Sequence, residues 1–242
     1  MAISIRDKVA VVMGASSGIG RATALALARY GARVMAAARR EDRLAGLPEE
    51  ARREGGVLDT CPCDVVDRAQ VEALIAATLK RFGQLDILVF ATGTNIPARS
   101  MKLLTAETWD MMIATNLTGA FHCTHAVLPV MRDAGGGLII YISTISAHVP
   151  DVSGAAYQAS KCGISGLAHA TRVEEKANGI RTSVIFPGLC LTEILDKRPS
   201  PTPKEMLDLA LEPEDVADAV VAVARLHPRA VVPEMELVPS RL

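Results

Sequence analysis

The sequence predicts an α/β protein built on a doubly wound, mostly parallel sheet of seven strands with helices on both faces. Three observations indicate this fold. Apolar runs rich in β-branched residues alternate with helix-period patterns from one end of the chain to the other. The runs are apolar at consecutive positions, which is typical of strands that are covered on both faces. The 242 residues, 50% of them hydrophobic, suffice for one domain over residues 1–242 with a sizeable core.

Seven apolar runs are the predicted strands, and the first of them ends at a Gly/Ser turn. They cover Val9–Met13, Arg33–Ala37, Val57–Cys61, Ile87–Phe90, Leu138–Ser143, Arg181–Phe186 and Val231–Leu237. Six segments between them are the predicted helices: Ile19–Tyr30, Glu41–Arg53, Asp67–Phe82, Ala106–Asp133, Ala155–Asn178 and Glu214–Leu226. Right-handed crossovers between such strands produce a doubly wound sheet, whose ligands bind at the carboxyl ends of the strands.

One stretch interrupts the alternation of strands and helices. Residues 195–203 contain three prolines and are too proline-rich to form a helix. We therefore predict a mobile substrate flap at residues 189–210 rather than a domain boundary.

Composition argues against several classes of protein. The net charge is −1, with Lys and Arg spread along the chain, which gives no electrostatic footprint for nucleic acid or for an anionic membrane surface. No uninterrupted apolar stretch approaches the roughly 18 residues that a membrane span requires. The five cysteines show no framework spacing, which favours a reduced, cytoplasmic setting. We expect no metal site, because neither Cys61 and Cys63 nor His122 and His125 have further ligands nearby in sequence.

A glycine-rich turn joins the first predicted strand to the first predicted helix. Glycines let the backbone turn sharply and approach a phosphate, and the helix N-terminus supplies free N–H groups. The spacing is Gly-x-x-x-Gly-x-Gly, which differs from the Gly-x-Gly-x-x-Gly of the common dinucleotide fingerprint. A simple strand–helix connector could carry the same glycines, but the flanking strand and helix favour nucleotide binding. The candidate residues are Gly14, Ser16, Ser17, Gly18, Ile19 and Gly20.

The end of the second predicted strand distinguishes the two nicotinamide dinucleotides. An acid at this point binds the ribose 2′-hydroxyl of NAD, whereas an arginine accommodates the 2′-phosphate of NADP. The chain has Arg39 and Arg40 here, and no acid before Glu41. We therefore expect NADP(H) rather than NAD(H), although both arginines could instead simply open a solvated helix.

Tyr157 and Lys161 form the candidate proton-transfer pair, since positions four apart on a helix share one face. A free tyrosine, with a pKa of about 10, is a poor base at neutral pH. A nearby positive charge favours the phenolate and brings the pKa of the phenol into working range for proton transfer. Taken alone, Tyr-x-x-x-Lys also fits a solvated helix face.

Together these motifs resemble those of the short-chain dehydrogenase/reductase family, of the compact single-domain type with a Rossmann-type fold. The likeness extends over nearly the whole chain. The positions that match in order and spacing are the glycine motif, Asp64 and Val65 after the third strand, Asn116, Tyr157 with Lys161, and Pro187, Gly188 and Thr192.

The resemblance implies a role for each matching residue. Tyr157 would be the catalytic acid/base, and Lys161 would hold the nicotinamide ribose and lower the pKa of the tyrosine. Asn116 would anchor a water that relays protons to Lys161. The other positions would contact the dinucleotide: Asp64 and Val65 at the adenine, and Pro187, Gly188, Cys190 and Thr192 at the nicotinamide ring and its carboxamide.

The chain departs from the family pattern at the hydroxyl that polarises the substrate oxygen. The family usually has a serine thirteen residues before the tyrosine. Thr144 stands at that position, with Ser143 before it and Ser146 two residues further on, and any of the three offers a hydroxyl. The gapless register favours Thr144, with Ser143 as the main alternative.

A second departure follows the fourth predicted strand. The family's Asn-Asn-Ala-Gly is replaced by Phe90-Ala91-Thr92-Gly93. The turn survives through Gly93, so Ala91 and Gly93 remain candidate cofactor contacts, but the asparagines that brace the sheet are absent. We expect this change to affect stability more than chemistry.

These residues predict an NADP(H)-dependent oxidoreductase that transfers hydride between a nicotinamide and a small-molecule carbonyl or alcohol substrate. The predicted pocket walls are mainly apolar, which favours a small hydrophobic or mixed ketone; they are Ile96, residues 148–153, Leu189 and the flap near residues 194–206. Two alternatives are a dehydratase or epimerase on the same fold, and a non-catalytic NADPH-binding sensor or scaffold. The resemblance also implies a homodimer or homotetramer.

Overall fold

The computed structural model describes residues 2–242 and has one seven-stranded sheet with helices on both of its faces. The strand order is β3-β2-β1-β4-β5-β6-β7, and every neighbouring pair is parallel. The strands are β1 (Val9–Met13), β2 (Arg33–Ala38), β3 (Val57–Pro62), β4 (Ile87–Phe90), β5 (Gly137–Ile142), β6 (Ile180–Pro187) and β7 (Glu234–Leu237). The helices are α1 (Gly18–Arg29), α2 (Glu41–Leu44), α3 (Leu47–Arg53), α4 (Arg68–Phe82), α5 (Ala106–Ile113), α6 (Gly119–Asp133), α7 (Ala155–Glu174), α8 (Lys204–Leu207) and α9 (Pro213–Ala224). The predicted fold class is confirmed.

The central strand β1 shows why the sequences of the strands are apolar at consecutive positions. Its residues are all at most 1% exposed, because helices cover both faces of the sheet. Ala10 and Val12 belong to the hydrophobic cluster that includes α1 and α9. Val9, Val11 and Met13 belong to the cluster that includes α4, α6 and α7. Successive side chains of β1 therefore pack into two different hydrophobic clusters, one on each face of the sheet, because side chains alternate between the faces along a strand.

The predicted helix Glu41–Arg53 is divided into α2 and α3. Pro48 lies in the first turn of α3. Proline has no N–H, and its ring clashes with the carbonyl of the residue four positions earlier, which favours a break in the helix at this point. The first turn of a new helix tolerates proline well.

The predicted helix Ala106–Asp133 contains a π turn at Ala114–Thr118, between α5 and α6. The N–H of Gly119 bonds to the carbonyl of Ala114, five residues earlier. Such turns occur mostly as single bulges inside α-helices and often at functional sites. This one contains Asn116, a predicted site residue.

The C-terminal strand is shorter than predicted. It begins at Glu234 rather than Val231, directly after Pro233, which has no N–H to donate to the ladder. The Pro233 carbonyl still accepts a hydrogen bond of 2.9 Å from the N–H of Val184.

The flap, residues 189–210, contains a 3₁₀ turn at Glu193–Lys197, an irregular stretch at residues 198–203, and α8. The prediction that residues 195–203 form no helix is confirmed for residues 198–203 and is wrong for residues 195–197, which belong to the 3₁₀ turn. The flap is held to the body by a hydrogen bond of 2.8 Å from the N–H of Leu191 to the carbonyl of Leu211. Lys197 adds a hydrogen bond of 2.7 Å from its Nζ to the hydroxyl of Thr94.

The sheet order reverses between β1 and β4, since β2 lies on one side of β1 and β4 on the other. Ligands of open α/β sheets bind at such a switch point, outside the carboxyl ends of the strands. A cavity of about 550 Å³ lies there. Within residues 2–242, no helix is both long and apolar enough to cross a lipid bilayer.

Candidate active site

The glycine turn after β1 forms one wall of this cavity. Gly14 has a φ of +86°, and a Cβ at this position would lie 2.9 Å from the carbonyl carbon of Ala91. Its N–H donates to the carbonyl of Ala37 at 2.8 Å. The turn is thus pressed between the ends of β2 and β4, where only glycine fits.

Helix α1 begins from this turn with its first N–H groups uncapped by a side chain. Ser17 is the N-cap residue and makes no capping hydrogen bond, and the first turn has no acidic residue. Gly18, Ile19 and Gly20 line the cavity. A helix N-terminus with unpaired N–H groups and a positive dipole end suits a phosphate group.

Arg40 lies against the glycine turn. Its Nε and Nη2 donate to the hydroxyl of Ser16 at 3.1 and 2.9 Å, and its Nη2 donates to that of Ser17 at 2.7 Å. Its Nη1 donates to the carboxylate of Glu193 at 2.8 Å, and Arg43 binds the same carboxylate. Hydrogen bonds from Arg40 and Arg43 hold the pKa of Glu193 at about 2. Two guanidinium groups therefore converge on one anion at this edge of the cavity.

Arg39 and Asp64 lie further out. The Arg39 side chain is 64% exposed, and its guanidinium is 3.9 Å from the Asp64 carboxylate. Val65 is buried against the start of α6, where a Cβ on Gly119 would collide with it. Arg39 and Val65 line the cavity, whereas the predicted contact Asp64 does not.

The amide of Asn116 braces the loop that follows β4. Its Oδ1 accepts from the N–H of Thr94 at 2.8 Å, and its Nδ2 donates to the carbonyl of Thr94 at 3.0 Å and to the hydroxyl of Ser160 at 3.0 Å. Asn116 is fully buried. The side chain thus ties α7 and the π turn to the end of β4. Ala91 and Gly93, at that strand end, line the cavity.

Lys161 is buried on α7 with its ammonium beside the end of β5. Its Nζ donates to the carbonyl of Ile142 at 2.9 Å, and a Cβ on Gly93 would lie 3.1 Å from that nitrogen. Burial lowers the pKa of Lys161 to about 8. The ammonium is therefore still protonated at neutral pH.

Tyr157 lies one helical turn before Lys161, and the lysine Nζ is 6.0 Å from the centroid of the phenol ring. The expected lowering of the phenol pKa by Lys161 does not occur in the structure. Burial raises the pKa of Tyr157 to about 12, and the negative charge of Asp151 acts in the same direction. The cations that oppose this rise are Arg99 and Arg198. Desolvation of the phenolate outweighs any attraction from the neighbouring lysine.

The three candidate hydroxyls near the phenol have different surroundings. Thr144 lies close enough to Tyr157 to lower the pKa of the phenol, while its hydroxyl donates to that of Ser146 at 3.4 Å and accepts from the N–H of Ser146 at 3.3 Å. Ser143 donates to the backbone carbonyl of Lys161 at 3.2 Å, and Ser146 donates to the carboxylate of Asp151 at 2.7 Å. Of the three, Thr144 is the one that acts on the pKa of the phenol, whereas Ser143 is the one that lines the cavity.

The segment after β6 reaches the cavity at Thr192, whose Cγ2 would lie 2.9 Å from a Cβ on Gly18. Pro187 and Gly188 lie behind it, at the strand end, where the N–H of Gly188 donates to the carbonyl of Leu237 at 2.8 Å. Cys190 is buried and pairs with Leu211, and burial raises the pKa of its thiol to about 12.

Several residues that the structure places around the cavity or near the phenol were not among the predicted site residues, including Thr94, Glu193, Lys197 and Arg99. Thr94, Glu193 and Lys197 line the cavity, and Arg99 lies close enough to Tyr157 to influence its pKa. Glu193 directly follows the predicted cofactor contact Thr192, and this adjacency is the sequence signal that could have placed Glu193 at the cavity. Nothing in the sequence places Arg99 near α7.

The arrangement fits a phosphorylated dinucleotide. The uncapped start of α1 suits a pyrophosphate, Arg40 and Arg43 suit a further phosphate, and Lys161 offers a buried cation to a hydroxyl-bearing group.

No group of three or more His, Cys, Asp or Glu side chains in the described part of the chain could hold a metal ion. The ring of His122 instead contacts the backbone carbonyl of Val65, with its Nδ1 3.0 Å from the oxygen.

Comparisons of the sequence and of the structure with known proteins both find dehydrogenases and oxidoreductases. The family model for short chain dehydrogenases matches residues 8–202. The chain is 32% identical over 219 residues to an uncharacterised oxidoreductase of Staphylococcus haemolyticus, with 90% of each chain covered. A metagenomic short-chain oxidoreductase in complex with NADP superimposes with a TM-score of 0.84 at 31% identity, covering 98% of this chain and 99% of that one. An alcohol dehydrogenase of the archaeon Thermococcus sibiricus, complexed with 5-hydroxy-NADP, gives 0.87 at 29% identity, with 97% of each chain covered.

Proposed function

The chain belongs to the short-chain dehydrogenase family, and on this premise we propose that it is an NADP(H)-dependent oxidoreductase acting on a small-molecule carbonyl or alcohol. One observation carries the proposal. A single cavity joins the uncapped start of α1 and Arg40 to Tyr157 and Lys161, so one bound dinucleotide can reach both ends.

The chemistry proceeds at the Tyr157 end of the cavity. When bound, the nicotinamide supplies the hydride in reduction or accepts it in oxidation. Tyr157 donates its phenolic proton to the substrate oxygen, and the hydroxyl of Thr144 donates a hydrogen bond to the same oxygen. A phenol pKa of about 12 keeps Tyr157 protonated at neutral pH, which is the form that donates a proton in carbonyl reduction. Each hydroxyl stabilises the negative charge that develops on that oxygen.

Lys161 and Asn116 support this proton transfer. Lys161, cationic at neutral pH, would hold the ribose hydroxyls of the dinucleotide, and Asn116 would anchor the water that returns protons to it. Pro187, Gly188, Cys190 and Thr192 would border the nicotinamide, with Thr192 nearest to the cavity.

The preference for NADP(H) rests on Arg40 and Arg43. Both guanidinium groups already bind a carboxylate, that of Glu193, at the end of the cavity next to β2. A ribose 2′-phosphate offers the same guanidinium groups a stronger anion, whereas the 2′-hydroxyl of NAD offers none. The NADP complexes of the two structural relatives support this preference.

Nicotinamide oxidation against a panel of carbonyl compounds tests the proposal. We expect turnover with NADPH, and we expect Tyr157→Phe to lower kcat/KM by about 10²–10⁴-fold because the general acid is lost. Tyr30→Phe is the matched control, since Tyr30 is 42% exposed and lies at the end of α1, away from the cavity.

Three other outcomes would reject the proposal. Tight NADPH binding without turnover of any substrate would indicate a sensor or scaffold. Conversion of a substrate without net nicotinamide oxidation would indicate a dehydratase or epimerase. Full activity of the Tyr157→Phe variant would remove the proposed acid/base.

We also propose that the protein forms a homodimer or homotetramer. Large apolar side chains remain exposed on α5 and α6, namely Trp109 at 37%, Met111 at 39% and Phe121 at 49%. Exposed apolar side chains close together mark candidate interfaces. Sedimentation at micromolar concentration should give a dimer or tetramer, and a monomer would contradict this proposal.

A further inference from the structure

Arg99 is one of three buried charged residues within residues 2–242, and its environment differs from that of the other two. The others are Lys161 and Glu175. Lys161 donates to the carbonyl of Ile142, and the carboxylate of Glu175 is bound by Arg132 at 2.9 Å. Arg99 is 7% exposed, and its side chain makes no hydrogen bond or ion pair with the described residues; its Nε is fully buried without a partner.

An unpaired buried guanidinium is costly, because it loses its hydration without gaining hydrogen bonds. The direction of the side chain is fixed by the fold. The flanking residues Ala98 and Ser100 are exposed, whereas Arg99 points inward. Its stem packs on Gly154, where a Cβ would lie 2.8 Å from the Cβ of Arg99.

Gly154 is the N-cap residue of α7, three positions before Tyr157. The loop that carries Arg99 is tied to the same segment by Asn95, whose Nδ2 donates to the carbonyl of Ser153 at 3.0 Å. The guanidinium is thereby held beside the first turn of the helix that carries the proposed acid. Its charge reaches the phenol of Tyr157, where it favours the ionised form.

A second arginine approaches from the flap. Arg198 is half-buried, donates to the hydroxyl of Thr202 at 2.8 Å, and lies close enough to Arg99 for the two charges to repel. The acid whose charge acts on Arg99 is Asp151, but its carboxylate accepts hydrogen bonds from Ser146 and Ser153 and makes no ion pair with Arg99. The region beside the phenol therefore carries more positive than negative charge.

We propose that Arg99, assisted by Arg198, binds a carboxylate of the substrate, so that the protein reduces oxo acids in preference to neutral ketones. This inference rests on the proposed oxidoreductase function and names its substrate class. A carboxylate would accept two parallel hydrogen bonds from the Arg99 guanidinium, because the planar arrangement of its N–H groups matches the two carboxylate oxygens. The apolar pocket expected from the sequence took no account of this cation.

The test compares oxo acids with their methyl esters, using 2-oxo, 3-oxo and 4-oxo acids of matched carbon chain to vary the distance between the two groups. We expect at least one acid to exceed its ester in kcat/KM by about 10–100-fold, the effect of charge-assisted hydrogen bonds. Arg99→Met should reduce this acid-to-ester ratio to about one. Because both substrates use the same Tyr157, the ratio isolates recognition from proton transfer.

A second variant and a second readout keep the test decisive. Arg198→Met, on the surface-exposed flap, should lower the ratio in the same direction but less. The preferred acid should raise the Tm of the wild-type protein in the presence of NADP⁺ and should not raise that of Arg99→Met. Arg53→Met, at an exposed position on α3, is the matched control and should leave the ratio unchanged.

The possible failures are distinguishable. Equal or better turnover of the esters by the wild-type protein would overturn the carboxylate site while leaving the oxidoreductase function in place. Equal losses for acid and ester in Arg99→Met would give Arg99 a merely structural role. Preference for phosphorylated ketones over both would show that the anion is a phosphate, which also overturns the proposal. No nicotinamide oxidation with acids, esters or neutral ketones would instead reject the underlying function.

Discussion

Replacing Lys161 by methionine should stabilise the folded protein while removing the proposed activity. Burial lowers the pKa of Lys161 from 10.5 to about 8, a fall of about 2.5. Since one pKa unit corresponds to about 1.36 kcal/mol, burying this ammonium destabilises the native state by roughly 3 kcal/mol at neutral pH. Loss of the hydrogen bond to the Ile142 carbonyl costs about 1 kcal/mol. The free energy of unfolding of Lys161→Met should therefore exceed that of the wild type by about 2 kcal/mol.

The pH dependence of this difference follows from the sign of the shift. The pKa of Lys161 is lower in the folded protein than in the unfolded chain, so between about pH 8 and 10.5 the unfolded chain binds more protons. The stability of the wild type rises in this window on account of Lys161. Below about pH 8 the destabilisation is fully present, and above 10.5 it is absent. The advantage of Lys161→Met should therefore be greatest at neutral pH and should shrink as the pH rises through this window.

Urea unfolding followed by circular dichroism, at several pH values from neutral to alkaline, measures this difference. Lys102→Met is the control, because Lys102 is exposed and its substitution should change the unfolding free energy little at any pH. The same Lys161→Met protein should bind NADPH more weakly and show no turnover. A variant less stable than the wild type at neutral pH, or a stability difference independent of pH, would refute the assignment of Lys161 as a buried, destabilising cation.

Three further predictions concern the cofactor, the polarising hydroxyl and a structural ion pair. Arg40→Met should weaken NADPH binding by about 10–100-fold while leaving NADH binding nearly unchanged, as measured by fluorescence titration, because a charge-assisted contact with the 2′-phosphate is lost; equal losses for both would contradict this. Thr144→Ala should lower kcat/KM by about 10²–10³-fold and Ser143→Ala by much less, since Ser143 donates to a backbone carbonyl; the reverse order would assign the polarising role to Ser143. Glu175→Gln should be less stable than the wild type at neutral pH. Hydrogen bonds from Arg132 hold the pKa of Glu175 at about 2, below its usual 4.5, so the deficit should vanish as the pH falls from 4.5 to 2, and a deficit independent of pH in urea unfolding would count against this pair.

The parts of the fold that sequence reasoning recovered depend on residues close together along the chain. The β1 strand and the Gly14–Gly20 turn are continuous segments, and their composition indicates both the buried strand and the start of α1. Tyr157 and Lys161 are placed on one face of α7 by helical periodicity alone. The break before α3 could also have been predicted, since Pro48 is visible in the sequence.

The π turn at Ala114–Thr118 could not be predicted in the same way. Its residues are compatible with an ordinary helix, and no proline marks the extra residue. The turn brings Asn116 to the loop after β4 and to Ser160 on α7, and these contacts come from distant segments of the chain. Packing among those segments, rather than local preference, selects the irregular backbone.

By itself, the sequence determined the parallel sheet, the glycine turn and the Tyr157–Lys161 pair. Only the tertiary structure decided the electrostatics around that pair. The sign of a pKa shift depends on burial and on charges brought in from elsewhere, and for Tyr157 burial prevails over every nearby cation. Arg99 and Arg198 come from separate loops, nearly a hundred positions apart, so only the folding of both loops toward α7 reveals the positive region that we assign to a substrate carboxylate.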